Sequence, residues 1–449
     1  VSDLQPERPA PTPRELRKVA GASLVGTAVE FYDFFIYGTA AALVFGKIFF
    51  PALGTAAGTI AAFATFSVAF VARPLGSILF GHLGDRIGRK KSLTYTLLIM
   101  GLATFAIGLL PDAATIGIAA PILLVLLRIL QGLAVGGEFA AAALLVAEYA
   151  PARKRGLYGS APQIGSGIGS TMAVATFLVA GLVMSPEAFE SWGWRLPFLF
   201  SIVLVGIGLY VRMRIDETPI FAEVLARQER VKVPLVEVFR CQPRQVLLAA
   251  GAMLMWSSFY YIGAVFFTSY GTTTLGLPRP TMLLINLVAS LVFTLAVIVP
   301  AMLSDRVGRR RMIAIGNIVA ISWALVLMPI IDIGTPLAVG TAVVVTMLIV
   351  AIANGPAASF LPEIFAARYR TTGVGVAYNL GSVLAGAIPP LLAASLLAAY
   401  GSYAISVMLA VYAVVATVAV LMLSETRGTS LRTGAGEAQD SPADVRVTT

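Results

Sequence analysis

Twelve apolar stretches follow one another along the 449 residues, at approximately 19–45, 58–81, 92–111, 119–147, 157–184, 193–211, 246–270, 281–303, 312–331, 336–358, 373–399 and 401–423. Each is near the roughly 20 residues that a helix needs to cross a bilayer. In hydrocarbon every backbone N–H and C=O must find its partner inside the protein, so such stretches are expected to form helices. The expected fold class is therefore an all-α membrane protein with twelve transmembrane helices. Only 12% of the residues are charged, against about 25% in a soluble domain.

An even number of spans puts both termini on one side, and the basic residues say which. Lys47, Arg195 and Arg279 fall on the opposite side, and Arg73 and Arg128 fall inside spans; the rest of the 32 Lys plus Arg lie in the tails and loops of a single side. By the positive-inside rule that side is cytoplasmic. The formal net charge of +9 is then a loop bias and calls for no nucleic-acid partner. Residues 1–18 are polar and Pro-rich, and the first apolar segment is too long and too acidic for a signal-peptide core, so no cleaved leader is expected. The lone Cys241 leaves no disulfide to form within the chain and reads as inert.

Leu83-Gly84-Asp85-Arg86-Ile87-Gly88-Arg89-Lys90-Lys91 recurs as Leu303-Ser304-Asp305-Arg306-Val307-Gly308-Arg309-Arg310-Arg311, an offset of 220 residues. Glu148 with Arg153 and Arg155 after span four echoes Glu363 with Arg368 and Arg370 after span ten. Two duplicated signatures at matching positions imply two six-helix halves, 19–211 and 246–424, with tails at 1–18 and 425–449 and a Pro-punctuated cytoplasmic linker at 212–245. Parallel halves with a substrate site between them are a known transporter plan.

The first of these loops, from Gly81 to Lys91, resembles the loop signature of the major facilitator superfamily. Val29-Glu30-Phe31-Tyr32-Asp33-Phe34, Ala72-Arg73-Pro74-Leu75-Gly76, Arg128-Ile129-Leu130-Gln131-Gly132, Gly136-Gly137-Glu138-Phe139 and Glu217-Thr218-Pro219 resemble, within it, the metabolite:proton symporters. That likeness covers 19–425 and implies a bacterial plasma-membrane importer of the kind that takes citrate, 2-oxoglutarate, shikimate, proline or betaine. Two departures stand out. Ala301 replaces a motif glycine, which is expected to weaken close helix packing there. The short tail after Ser424 has no heptads, unlike the osmosensing proline and betaine transporters.

Five charges sit inside spans, where each costs roughly 2.5 to 3.5 kcal/mol and is expected to pair, carry a proton or both. Counted along the helices, Asp33 and Arg128 lie at similar depth, as do Arg73 and Glu138, and Glu30 shares a helix face with Asp33. Asp33 and Arg128 are expected to pair; the resemblance implies a proton-sensitive pair, and a static structural pair is the competing reading. Glu30 and Glu138 are expected to share or tune the proton. Arg73, released from these acids, is the expected bidentate partner of a substrate carboxylate, with simple helix packing at Arg73-Pro74 as the alternative. Tyr37, Gln131, Gln163, Trp256, Tyr260, Tyr261, Asn286, Asn354 and Asn379 are the candidate polar and aromatic lining, although buried aromatics and membrane asparagines also serve as plain helix contacts.

The duplicated loops read as a cytoplasmic gate. Asp85 and Asp305 are placed to cap neighbouring helices, Arg89 and Arg309 to pair with Glu148 and Glu363, and Arg155 and Arg370 complete the set. The resemblance implies that such contacts lock the cytoplasmic side while the cavity faces outward. His82 is the only histidine and no phosphate-binding loop is present, so no metal site, cofactor or enzymatic activity is expected.

The expected function is proton-coupled import of a small organic acid, a dicarboxylate or a shikimate-like metabolite, by alternating access. The proton is the coupling ion, the bilayer the setting and a monomer the working unit. The alternatives are uptake of a zwitterion such as proline or betaine, a broad-cavity drug exporter, and, from another class, a membrane sensor without net flux.

Overall fold

The computed structural model describes residues 12–87, 89–136, 138–213, 234–366 and 370–429. Among the described residues ten helices are long and apolar enough to cross a membrane: Arg14–Phe49, Pro51–Phe80, Ala152–Val183, Gly193–Val211, Pro243–Thr273, Arg279–Val307, Arg309–Ile331, Pro336–Ile364, Arg370–Tyr400 and Tyr403–Met422. Two shorter apolar helices, Thr94–Gly108 and Ala119–Val135, bring the series to the expected twelve. They are called helices one to twelve in chain order. Helix four resumes as Glu138–Tyr149.

The ends differ from the expected boundaries for local reasons. Helix one starts at Pro13, inside the expected tail, because Thr12 and Glu15 form a reciprocal capping box. Part of the expected linker is helical, at Pro234–Cys241, while 214–233, including Glu217-Thr218-Pro219, lies outside the described residues. Residues 425–429 of the expected tail fold back onto Arg155, Arg309 and Glu363.

The duplication is visible in the packing. Helices one and five pack together as do seven and eleven, two and four as do eight and ten, and three and six as do nine and twelve. Helices five and eight join the halves on one side, and two and eleven on the other. Glycines make the close approaches: a Cβ on Gly132 would meet Ala69 of helix two, and one on Gly165 would meet Leu24 of helix one. The small-residue spacing thus lies at helix contacts. Ala301 is fully buried, and Gly156 and Gly355 pack against its backbone; they supply the room that the missing motif glycine was expected to cost.

Helices one and seven are central: 89% and 83% of their apolar windows are buried, against 50% or less in the other long spans. Protein rather than lipid surrounds helix one, which is why it tolerates Glu30 and Asp33. Both central helices contain a π-helical turn at nearly the repeat offset, Ala41–Phe45 and Ile262–Phe266. A third, Val383–Ala387 in helix eleven, precedes Pro389 and Pro390, which bring no N–H to the helical ladder.

Candidate functional site

Between helices one, two and four lies a cavity little wider than one water molecule, and Glu30, Asp33, Phe34, Arg73, Arg128 and Gln131 form part of its wall. All five intramembrane charges are buried. Glu138 lies outside the cavity wall.

Asp33 and Arg128 do not form the expected direct ion pair. Three hydrogen bonds through two neutral side chains join them instead. Arg128 Nη1 donates to Gln131 Oε1 at 3.0 Å, Gln131 Nε2 donates to Thr104 Oγ1 at 2.6 Å, and Thr104 Oγ1 donates to Asp33 Oδ2 at 3.0 Å. Depth along a helix axis was the basis for the expected pair, and it does not fix azimuth; helix three, carrying Thr104, supplies the bridging hydroxyl. Arg128 is also held by aromatic faces, with its guanidinium carbon 4.0 Å from the Tyr37 ring centroid and 4.8 Å from that of Phe34.

Arg73 likewise forms no ion pair among the described residues, contrary to the expected sharing of Glu30 and Glu138. Its guanidinium lies 4.8 Å from the Phe34 centroid and 4.7 Å from that of Phe70. Phe34 therefore contacts both arginines. Desolvated cation–π contacts are worth about 2 kcal/mol or more, enough to offset part of the burial cost. Arg73 Nε and Nη1 have no hydrogen-bond partner among the described residues, so its donors are available to a ligand.

Tyr37 supports Arg128 and donates to Thr65 at 2.7 Å; neither it nor Gln163 belongs to the cavity wall. In the second half, Tyr260 packs on Phe35 and Phe293, and Asn286 donates to Thr268. Asn379 donates to Gly136 O across the halves at 2.8 Å. Trp256 and Asn354 are buried away from the cavity wall. From the second half, Tyr261 lies against Arg73, and Tyr378 is within electrostatic range of it. Thr104 and Tyr378 were not singled out from sequence, although Thr104 is the one polar side chain between Leu97 and Gly108.

The halves meet above and below this layer. Above it, Ser67 Oγ donates to Ala387 O at 2.7 Å, Phe63 packs on Phe266, and Glu190 joins Arg279 at 2.8 Å and Lys47 at 3.1 Å. Below it, fully buried Glu363 accepts from Arg155 at 2.7 Å and Thr426 at 2.7 Å and lies 3.3 Å from Arg309 Nε in an ion pair. Asp305 bonds Arg309 at 2.8 Å and accepts the Gly156 and Leu157 N–H groups at 2.9 and 3.1 Å, capping helix five of the other half. Gly308, at φ +113°, makes the tight turn, and Glu425 caps helix nine through the Arg309 N–H at 2.9 Å. Arg370 Nε donates to Pro362 O at 2.9 Å, and Glu148 is exposed. The side chains of Asp85 and Arg89, the remaining two gate candidates, lie outside the described residues.

A family model described as Major Facilitator Superfamily matches residues 23–390. The Inner membrane metabolite transport protein YhjE of Escherichia coli K12 is 44% identical, over 92% of this chain and 95% of its own length. The Shikimate transporter of the same organism is 40% identical over 85% and 88%. A Proline/betaine transporter of Salmonella typhimurium is 36% identical over 84% and 77%. Among solved structures, the proton:xylose symporter XylE bound to 6-bromo-6-deoxy-D-glucose superposes with a TM-score of 0.73 at 18% identity, over 94% of this chain and 98% of that one.

Proposed function

Because the chain belongs to the Major Facilitator Superfamily, and is thus a multi-pass secondary transporter rather than an enzyme, we propose that it imports a small organic acid together with protons. The observation that carries this reading is the small cavity whose wall combines two arginines with two carboxyl groups. Arg73, with free donors, is the group for a substrate carboxylate, and the Tyr261 and Tyr378 hydroxyls meet the same ligand from the opposite half. Asp33 is the proton carrier, linked to Arg128 through the neutral bridge, with Glu30 and Glu138 tuning it. The Glu363 cluster is the cytoplasmic gate and the Glu190 and Ser67 contacts are its outer counterpart. Both termini are cytoplasmic in this reading.

The similarity to a shikimate transporter supports an acid. The similarity to proline/betaine transporters supports the second reading, a zwitterion whose carboxylate uses Arg73 and whose cation meets the aromatic cluster around Tyr261. Uptake by purified protein in liposomes separates them. Labelled shikimate, 2-oxoglutarate, citrate and betaine are compared with and without an inward proton gradient. Gradient-driven accumulation of an acid is expected; accumulation of betaine alone would replace the acid reading, and no gradient-dependent flux of any of the four would refute both.

A further inference from the structure

We propose that Thr104 is the positioning residue through which protonation of Asp33 is felt at Arg128, its single hydroxyl proton choosing between the Asp33 carboxylate and the Met100 carbonyl. The inference rests on the reading of Asp33 as proton carrier. Arginine has only donors, so the Nη1 bond from Arg128 fixes Oε1 of Gln131 toward it and Nε2 toward Thr104. Thr104 Oγ1 therefore accepts from Gln131 and has one proton left to give. Two acceptors compete for it, Asp33 Oδ2 at 3.0 Å and Met100 O, one helical turn back, at 2.8 Å.

Charge decides the competition. A carboxylate acceptor makes a bond roughly twice as strong as a neutral one, so ionised Asp33 takes the proton. The chain then runs donor to acceptor without interruption from the guanidinium to the anion. Asp33 Oδ1 has no hydrogen-bond partner among the described residues and is the oxygen open to an incoming proton. Once Oδ1 is protonated, Oδ2 is a neutral carbonyl oxygen, and the nearer Met100 O wins the hydroxyl. The chain breaks at Thr104, whose hydrogen bond to Asp33 gives way to the one to Met100 O, and Arg128 with Gln131 is released from Asp33 although no heavy atom of Thr104 has moved.

The groups facing Asp33 are Glu30 and Tyr32 from its own helix, Arg73 from helix two and Arg128 from helix four. Thr104→Val leaves all of them in place and removes only the hydroxyl; Thr104→Ser keeps it; Thr104→Ala removes it with less bulk. An infrared pH titration of purified, substrate-free protein follows the carboxyl band that Asp33→Asn abolishes. Without the donor that favours the carboxylate, the midpoint in the Val and Ala variants is expected to move up by about one pH unit or more, a tenfold gain in proton affinity, while Ser titrates with the wild type. Proton-driven shikimate uptake by the same variants in liposomes is expected to shift its half-maximal pH in step. A Val and Ala midpoint equal to wild type, or a Ser midpoint displaced as far as theirs, would overturn the role of Thr104. Absence of wild-type shikimate uptake would count against that substrate, while the infrared midpoints still decide the inference.

Discussion

Replacing Glu363 by Gln removes the one carboxylate, among the described residues, on which two arginines from different halves converge. In the proposed cytoplasmic gate it accepts from Arg155 at 2.7 Å and from Thr426 at 2.7 Å and is ion-paired with Arg309 at 3.3 Å, fully shielded from solvent. Breaking a buried ion pair by neutralising one partner costs about 3–5 kcal/mol. Part of that is recovered here, because Arg309 keeps Asp305 and Arg155 keeps the Ala147 and Thr429 carbonyls. A net penalty of about 2–3 kcal/mol falls on the gate-closed state alone, which moves its equilibrium with the cytoplasm-open state roughly 30- to 150-fold. Nitroxides on Lys154 and Arg306, exposed on facing halves, report this by pulsed spin–spin distance measurement in a Cys241→Ser background. A new, longer distance population is expected in Glu363→Gln and not in Glu363→Asp. An unchanged distribution in Glu363→Gln would refute the cluster as a gate.

Arg73→Lys and Arg73→Gln are each expected to raise the substrate KM at least tenfold, because an ammonium cannot reproduce the planar fork and its stacking on Phe34 and Phe70; an unchanged KM would reduce Arg73 to helix packing. Ser67→Ala removes a hydrogen bond to Ala387 O that crosses the halves, worth about 0.5–1.5 kcal/mol. Labels on the outer loops should therefore show a modest gain in outward-open population, and none if Ser67 serves only its own helix through Phe63 O.

Much of this architecture is written in one dimension. The spans follow from hydropathy, and the halves from the recurrence of Leu83–Lys91 at 303–311. The same recurrence pointed to Asp305, Arg309 and Glu363 as neighbours, and they are in contact. What sequence could not supply was direction around a helix. Asp33 and Arg128 were matched by depth, yet hydrogen bonds join them only through Thr104 of helix three and Gln131. Likewise the arginines were matched with acids on charge and depth, whereas Phe34, Phe66 and Phe70 converge on them from helices one and two. An apolar residue in an apolar run leaves no mark by which to see this. The fold-back of Glu425 and Thr426 onto the gate was equally hidden, since a short polar tail carries no periodicity.

Coupling of solute to proton through Asp33 is tested most directly by measuring both fluxes in one preparation. Liposomes holding wild type or Asp33→Asn carry an internal pH dye, and labelled shikimate, or whichever of the four solutes is transported, is followed at the same time. The wild type is expected to acidify the lumen as solute enters. Asp33→Asn is expected to exchange labelled for unlabelled solute across the membrane while moving no protons and accumulating nothing against its gradient. Uphill, proton-accompanied uptake by Asp33→Asn would contradict the account.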